Sequence, residues 1–166
     1  MCPSTICVAG WADLDPLTLH DILRLRVDVF VVEQACPYPE IDGRDVEPAT
    51  EHVWLRNDRR VAAYLRVLVE PDGARRVGRV VTHRDARRSG LAARLLADVV
   101  TRHGQGPLVL DAQSYLAPFY ERFGFTAMGP EFLEDGIPHI PMRREARPSG
   151  QGSDATSSPS STFGPV

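Results

Sequence analysis

The amino-acid sequence predicts an α/β or α+β sandwich around a mixed sheet. The first 145 residues give the element order β-α-loop-β-β-β-α-β-α-β-β, in which helical segments separate groups of strands. This mixed order favours helices packed on a sheet that has both parallel and antiparallel pairs. The length of 166 residues and the hydrophobic content of 43% are sufficient for one domain with its own core.

The N-terminal half is predicted to contain one long helix and three consecutive strands. After a β-prone run at 5–9, Asp15 can cap a helix that begins at Pro16, and apolar residues recur at helical spacing through 17–32. The stretch 35–50 is proline-rich and acidic, which is typical of a loop with one short helix at most. Strands are predicted at 52–56, 60–69 and 77–82, with turns at 57–58 and 71–73.

The C-terminal half is predicted to hold a second long helix and a buried strand. Helical spacing of apolar residues covers 90–103, and 108–112 is a continuous apolar run of the kind found in buried strands. A short helix at 115–123 ends at Gly124. Closing strands are expected at 125–128 and 139–143, and the domain is expected to span 1–145. The remainder, 146–166, is rich in Ser, Gly, Pro and Thr and is expected to be a disordered tail.

Charge and composition exclude several classes of function. The net charge of -3 and the absence of a basic aromatic face argue against nucleic acid as a partner. The sequence has neither a secretory signal pattern nor an apolar run near the roughly 20 residues that a membrane span needs, so a cytoplasmic protein is expected. Three cysteines without paired spacing favour neither disulfides nor a metal site, and Cys36 is interpreted as a small buried apolar residue.

A basic turn before the second long helix is a candidate anion site. Residues 87–92, Arg-Arg-Ser-Gly-Leu-Ala, place two cations and a glycine where unpaired amides and the positive end of the helix dipole meet. A pyrophosphate fits such a site, and Gly90 would let the backbone approach it closely. The turn is neither a P-loop nor a dinucleotide fingerprint, because both glycine patterns are absent. On its own it is a weak signal, also compatible with an ordinary charged helix start.

Two spaced motifs together resemble the GNAT superfamily of N-acyltransferases. Arg87-x-x-Gly90-x-Ala92 matches the superfamily pattern Gln/Arg-x-x-Gly-x-Gly/Ala, and Tyr120-x-x-x-Gly124-Phe125 matches its later tyrosine element. The stretches 26–38 (RVDVFVVEQACPY), 111–113 (DAQ) and 134–142 (EDGIPHIPM) are similar to the ElaA-type branch. These strings extend the resemblance over about 19–142, which is nearly the whole predicted domain.

The resemblance implies a fold, a cosubstrate and a general acid. It implies a mostly antiparallel sheet, flanked by helices, in which one strand pair splays apart to admit acyl-CoA. Acetyl-CoA is the expected cosubstrate, and no metal is expected. Tyr120 matches the residue that protonates the leaving thiolate, and a phenol with a pKa near ~10 carries that proton at neutral pH. The expected cofactor-binding residues are Val80, Val81 and Thr82 for pantetheine, and Arg87, Arg88, Ser89, Gly90, Leu91 and Ala92 for the pyrophosphate.

The resemblance leaves the general base and the acceptor open. Arg79 stands where histone-modifying relatives have a catalytic Glu, and an arginine cannot accept the proton. The remaining candidates are Glu33, His83, His139 or a chain of waters. Arg66, Arg79 and Gln113 are expected to bind substrate. The two arginines could instead pair with acidic residues such as Asp111.

The acidic loop and the choice of partner also have more than one interpretation. The loop and its flanks, 33–51, carry six acidic residues against one arginine, which would form either a rim attracting a cationic amine or a solvated loop. The expected acceptor is a small-molecule or peptide amine, bound by a monomer or homodimer. The predicted function is acetyl transfer from acetyl-CoA to a primary amine by direct attack in a ternary complex. The alternative is a non-catalytic acyl-CoA sensor.

Overall fold

The computed structural model describes residues 5–57 and 60–147, which form one sheet with helices on both faces. The order of the strands along the sheet is β1-β2-β3-β4-β5-β8-β6, and β7 pairs with β8. Among the strand pairs of the described residues, only β4–β5 is parallel, so the predicted mixed and mostly antiparallel sheet is confirmed. The elements are β1 Ile6–Ala9, α1 Pro16–Arg26, β2 Glu51–Asn57, β3 Arg60–Val69, β4 Arg75–Thr82, α2 Leu91–His103, β5 Leu108–Gln113, α3 Ala117–Glu121, β6 Thr126–Ala127, β7 Phe132–Glu134 and β8 Ile137–Arg144.

Both faces of the central strands are buried. On one face α2 contributes Leu95, Leu96 and Val99 to a core that includes side chains of β2, β3, β4 and β5. On the other face α1 contributes Ile22 and Leu25 to a second cluster. Strand β3 is therefore buried over almost its whole length, as expected for a strand covered on both sides.

The first long helix changes its winding before it reaches the site. Asp15 caps α1 by accepting hydrogen bonds from the amides of Leu17 and Thr18, as its position before Pro16 predicts. After Arg26 the chain continues as a π-helix over Val27–Glu33. The predicted helix at 17–32 is thus present, but its last turns have π geometry, which is rare and often occurs at functional sites.

The C-terminal elements differ most from the sequence prediction. The short helix predicted at 115–123 is a 3-10 turn at Ser114–Leu116 followed by the five-residue α3. Strand β7 was not predicted, although the Asp-Gly pair at 135–136 is a hairpin signal, and both residues have positive φ, 49° and 80°. The loop at 35–50 holds one 3-10 turn, Arg44–Val46. Nearly all of the predicted tail at 146–166 lies outside the described residues, and so does Asp58 of the first predicted turn.

Candidate active site

Strands β4 and β5 separate after two paired residues. Arg75 is opposite Leu108 and Arg76 is opposite Val109, and beyond them the two parallel strands are not paired. A bulge in β4 accompanies the opening, because Tyr64 of β3 faces Val81 whereas Arg66 faces Gly78. The extra residue, Arg79, has a left-handed backbone with φ of 53°. The edge of β4 from Val77 to Thr82 therefore faces an open wedge in the sheet, where its backbone polar groups can bind a ligand.

A cavity of about 850 Å³ occupies this wedge. Residues 76–82 of β4 form one wall and residues from β5 and α3 form another. The π-helix and the loop after it close the third side. The expected cofactor-binding residues Val80, Val81, Thr82, Arg87 and Ala92 line this cavity together with the expected catalytic residues Glu33, Tyr120 and His139.

The turn before α2 has the backbone shape of an anion site. Arg88 and Gly90 both have left-handed backbones, with φ of 63° and 76°, and Gly90 is the N-cap residue. The first helical hydrogen bond runs from Arg94 N to Gly90 O at 3.0 Å, so the amides of Leu91 and Ala92 have no intrahelical acceptor. Ser89 donates its hydroxyl to the carbonyl of Ala86. These amides and the adjacent guanidinium groups fit a pyrophosphate.

Glu33 and Arg87 connect the π-helix to this turn. Arg87 Nη1 lies 2.7 Å from Glu33 Oε1, and Arg87 Nη2 donates a hydrogen bond of 2.8 Å to Oε2. The two side chains are a little over two-fifths exposed. The hydrogen bond from Arg87 is the main cause that lowers the pKa of Glu33 from its usual value. Glu33 is therefore held as a carboxylate, which makes it a weak proton acceptor near neutral pH.

Tyr120 lies on α3 and lines the cavity. It is 6% exposed and packs edge-on against Phe119 and Phe125. Burial is the main cause that raises its pKa above the usual range, so the phenol keeps its proton. Its hydroxyl makes no hydrogen bond with any other residue in the described part of the chain. The proton of Tyr120 is therefore available to a bound ligand.

His139 lies opposite Gln113 in the β5–β8 pair and shares its face of the sheet. Its Nδ1 lies 2.8 Å from the carbonyl oxygen of Ile137, which can only accept, so Nδ1 carries the hydrogen. In the neutral ring Nε2 then has the lone pair, and it lies 3.9 Å from Glu134. Gln113 accepts a 2.7 Å hydrogen bond from the hydroxyl of Tyr115. His83, another sequence candidate for the base, accepts from the Asp85 amide and is not among the residues that line the cavity.

Arg26 lies at the centre of a buried ionic cluster beside the cavity. Its side chain has no exposed surface, and it pairs with Glu40 and with Asp45, the latter at 2.7 Å. Arg66 Nη1 lies 2.9 Å from the same Asp45 carboxylate, and its Nη2 lies 2.8 Å from Asp42. The hydrogen bond from Arg66 is the main cause that holds the pKa of Asp42 below its usual range. Burial is the largest influence on the pKa of Asp45 and would raise it, but the hydrogen bonds and charges of Arg26 and Arg66 together lower it. Both carboxyl groups are therefore charged around neutral pH.

Arg79 joins the same cluster from the bulge of β4. Its Nε lies 2.8 Å from Glu40 Oε2, and its Nη2 donates to the backbone oxygen of Glu40 at 3.2 Å and to Asp42 at 3.3 Å. Arg66 and Arg79 thus pair with acidic residues, which was one of the two interpretations of the sequence, but the example given there, Asp111, is not their partner. Asp111 instead pairs with Arg76, at 2.7 Å.

The acidic loop presents little unpaired charge. Its six carboxylates, Glu33, Glu40, Asp42, Asp45, Glu47 and Glu51, each lie within ion-pair distance of an arginine. Except for Arg44, which pairs with Glu47 within the loop, the partners come from α1, β3, β4, α2 and the turn before α2, so they are distant in sequence. Tyr38 was not predicted as a site residue, yet it lines the cavity and donates its hydroxyl to Glu40. The only signal was its place between two prolines in the ElaA-like string.

The described residues form neither a membrane-spanning helix nor a metal-binding cluster. Within 5–57 and 60–147, no helix is long and apolar enough to cross a membrane. The same residues contain no group of three or more His, Cys, Asp or Glu side chains that could hold a metal ion.

Known proteins match this chain in sequence and in structure. Residues 19–146 match the family described as Acetyltransferase (GNAT) domain. The chain is 50% identical over 146 residues to a UPF0039 protein of Mycobacterium tuberculosis, covering 85% of this chain and 92% of that one. An acyl-CoA N-acyltransferase structure from Pseudomonas aeruginosa is 40% identical with a TM-score of 0.79, covering 86% of this chain and 99% of that one. The structure of Escherichia coli ElaA is 32% identical with a TM-score of 0.80, covering 86% and 100%.

These matches confirm the resemblance that the sequence motifs indicated. The family and its structural neighbours have a fold that binds acyl-CoA and supports acyl transfer. The family match at 19–146 covers strands β2 to β8 and the turn before α2, and it includes the residues that line the cavity. The chain belongs to the GNAT acetyltransferase family and, within it, to the branch that includes ElaA.

Proposed function

We propose that the protein transfers an acetyl group from acetyl-CoA to a primary amine by direct attack within a ternary complex. The observation that carries the proposal is the cavity between the separated ends of β4 and β5, which Tyr120 and His139 both line. A buried, protonated phenol and a histidine whose Nε2 receives no hydrogen bond from the described residues would supply the two proton-handling groups that amine acylation needs.

Acetyl-CoA would be held by the parts of the site that fit its shape and charge. The free backbone edge of β4 at Val80, Val81 and Thr82 would pair with the amide groups of pantetheine. The turn from Arg87 to Ala92 would bind the pyrophosphate through its amides and its cations. The cosubstrate supplies an activated thioester, so the protein need not form a covalent intermediate of its own.

His139 is the better candidate for the general base. Glu33 is held as a carboxylate by Arg87, whereas Nε2 of His139 has no hydrogen-bond donor among the described residues. His139 would accept the proton of the attacking amine directly or through one water. Tyr120 would donate its proton to the departing thiolate, and the buried setting that raises its pKa keeps that proton in place until it is needed.

The acceptor is proposed to be a small molecule or a peptide with a free amine, acted on in the cytoplasm. Gln113, on the same face as His139, would orient it through hydrogen bonds. Arg66 is less suited to bind an acceptor carboxylate, because Asp42 and Asp45 already occupy its Nη atoms.

Release of CoA measured across a panel of primary amines tests the proposal. Turnover should require acetyl-CoA and an amine together, and acetylated product should appear in step with free thiol. Binding of acetyl-CoA without turnover on any amine would contradict the proposal and favour a non-catalytic acyl-CoA sensor. Absence of binding would contradict the assignment of the cofactor site.

A further inference from the structure

We propose that Arg79 is a positioning residue that holds the segment 36–42 in place as a wall of the cavity beside the hairpin of His139, where Cys36 Sγ lies 3.5 Å from the carbonyl oxygen of Asp135. The inference rests on the proposed function, because it concerns how the acceptor side of that site is built. Arg79 lies in the bulge of β4, where this strand has one more residue than β3 opposite it, and its backbone there is left-handed. The bulge therefore couples the strand that would bind pantetheine to the facing loop.

The segment 36–42 has little support of its own. Cys36 donates its amide to the carbonyl of Val31 at 3.2 Å, and among the described residues the next backbone–backbone hydrogen bond along the chain begins at Val46. Prolines at positions 37 and 39 remove two of the amides that could otherwise pair. Backbone hydrogen bonds thus do not fix this wall, and side chains from other elements must.

Arginine side chains supply that support. The carbonyl of Glu40 accepts hydrogen bonds from Arg26 Nη2 at 3.1 Å and from Arg79 Nη2 at 3.2 Å. The guanidinium of Arg79 also lies 5.6 Å from the centre of the Tyr38 ring, within the range of a cation–π contact. Arg79 thereby touches the segment at its aromatic side chain, at its backbone and at the carboxylate of Asp42.

The charges of the cluster argue against Arg79 as a ligand for a substrate carboxylate. Arg26, Arg66 and Arg79 face Glu40, Asp42 and Asp45, so three positive groups balance three negative groups. A substrate carboxylate would compete with Glu40 and Asp42 for the same guanidinium. Arg79 acts on the acceptor through the position of Tyr38, which lines the cavity.

The variant Arg79→Gln is expected to fold, because Glu40 keeps Arg26 and Asp42 keeps Arg66. Its effect can be measured without an activity assay, from the labelling rate of Cys36, which is 8% exposed and lies at the start of the segment. In a chain carrying Cys2→Ser and Cys7→Ser, Cys36 is the only thiol. We expect Arg79→Gln to increase the rate of Cys36 labelling by a thiol reagent about tenfold or more, because the segment opens more often.

The kinetic readout separates positioning from catalysis. We expect Arg79→Gln to raise the KM of the amine about tenfold, with acetyl-CoA affinity by calorimetry unchanged and kcat reduced less than KM is raised. Arg79→Lys should recover part of the loss, since a lysine keeps the charge but lacks the planar fork. Arg102→Gln is the matched control: Arg102 is also partly buried and paired with two carboxylates, Glu51 and Asp98, but does not line the cavity.

Unchanged Cys36 labelling and an unchanged amine KM in Arg79→Gln would overturn the proposal. So would a loss confined to amines that carry a carboxylate, because that pattern would make Arg79 a substrate ligand. The labelling measurement is independent of the proposed function: it can succeed even if no amine supports turnover in the parent protein.

Discussion

Arg87 and Glu33 pair across the mouth of the cavity, with Arg87 Nη1 2.7 Å from Glu33 Oε1. Arg87 belongs to the turn that is proposed to bind the pyrophosphate, and Glu33 is the last residue of the π-helix. Because Arg87 already binds the Glu33 carboxylate, His139 is the better candidate for the general base.

Glu33→Gln should lower turnover by less than about tenfold, because a carboxylate already held by Arg87 contributes little as a base. His139→Gln should lower turnover by about 10²–10⁴, the usual contribution of a positioned acid or base. Steady-state rates at saturating acetyl-CoA compare the two variants. A larger loss in Glu33→Gln than in His139→Gln would reverse the assignment.

Gly90→Glu should weaken acetyl-CoA binding by about tenfold or more, because it adds a carboxylate at the N-cap of α2. Gly73→Glu is a matched control, since Gly73 also has positive φ and open space around its Cβ position. The left-handed backbone should cost each variant about 1–2 kcal/mol of stability. Calorimetry on both folded variants measures the affinities, and equal affinities would contradict the cofactor assignment.

Arg26→Met should lower the free energy of unfolding by about 3 kcal/mol, because two buried carboxylates, Glu40 and Asp45, each lose one of their two arginine partners and keep only Arg79 and Arg66. Arg102→Met should cost no more than about 1 kcal/mol, since its ion pairs are partly exposed. Urea unfolding of both variants makes the comparison. A loss in Arg26→Met as small as in the control would show that the cluster does not stabilise the loop.

Stability should fall as the pH drops below about 6.5, in part because of His52. His52 is 1% exposed and hydrogen-bonds the Tyr64 hydroxyl and the Asp45 carbonyl, and its burial lowers its pKa. Below that pH the His52 side chain binds a proton more readily in the unfolded chain than in the folded one, so acid favours unfolding.

Urea unfolding near pH ~7.5 and near pH ~5.5 measures the effect of His52. His52→Gln should be less stable than the parent at the higher pH but should lose less stability between the two. His20→Gln, at an exposed histidine, should keep the pH dependence of the parent. The same slope in all three proteins would show that His52 does not contribute.

The sheet and its long helices were predictable because their signals are local. Apolar spacing located α2, and the Asp15-Pro16 pair located the start of α1. Strand β7 was overlooked because three exposed residues give no pattern of burial, even though the Asp-Gly turn after it was visible. The switch to π geometry after Arg26 also has no local signal.

The cofactor side of the site was more predictable than the acceptor side. The turn before α2 is a contiguous motif, so its residues could be named from the sequence. The contacts of Arg79 depend on a bulge and on a loop about 40 residues earlier, with Glu40 and Asp42 as the partners. The proposal that Arg79 supports the wall rests on these distances, and the prediction that Arg79 binds substrate is disfavoured by the same pairings.

Tyr120→Phe tests the central claim most directly, because it removes one hydroxyl and keeps the ring that packs against Phe119 and Phe125. The hydroxyl has no hydrogen-bond partner among the described residues, so stability should change little. With the best acceptor amine, kcat should fall by about 10²–10⁴ while acetyl-CoA affinity by calorimetry stays unchanged. Full turnover in the folded variant would contradict the account of Tyr120 as the acid that protonates the thiolate.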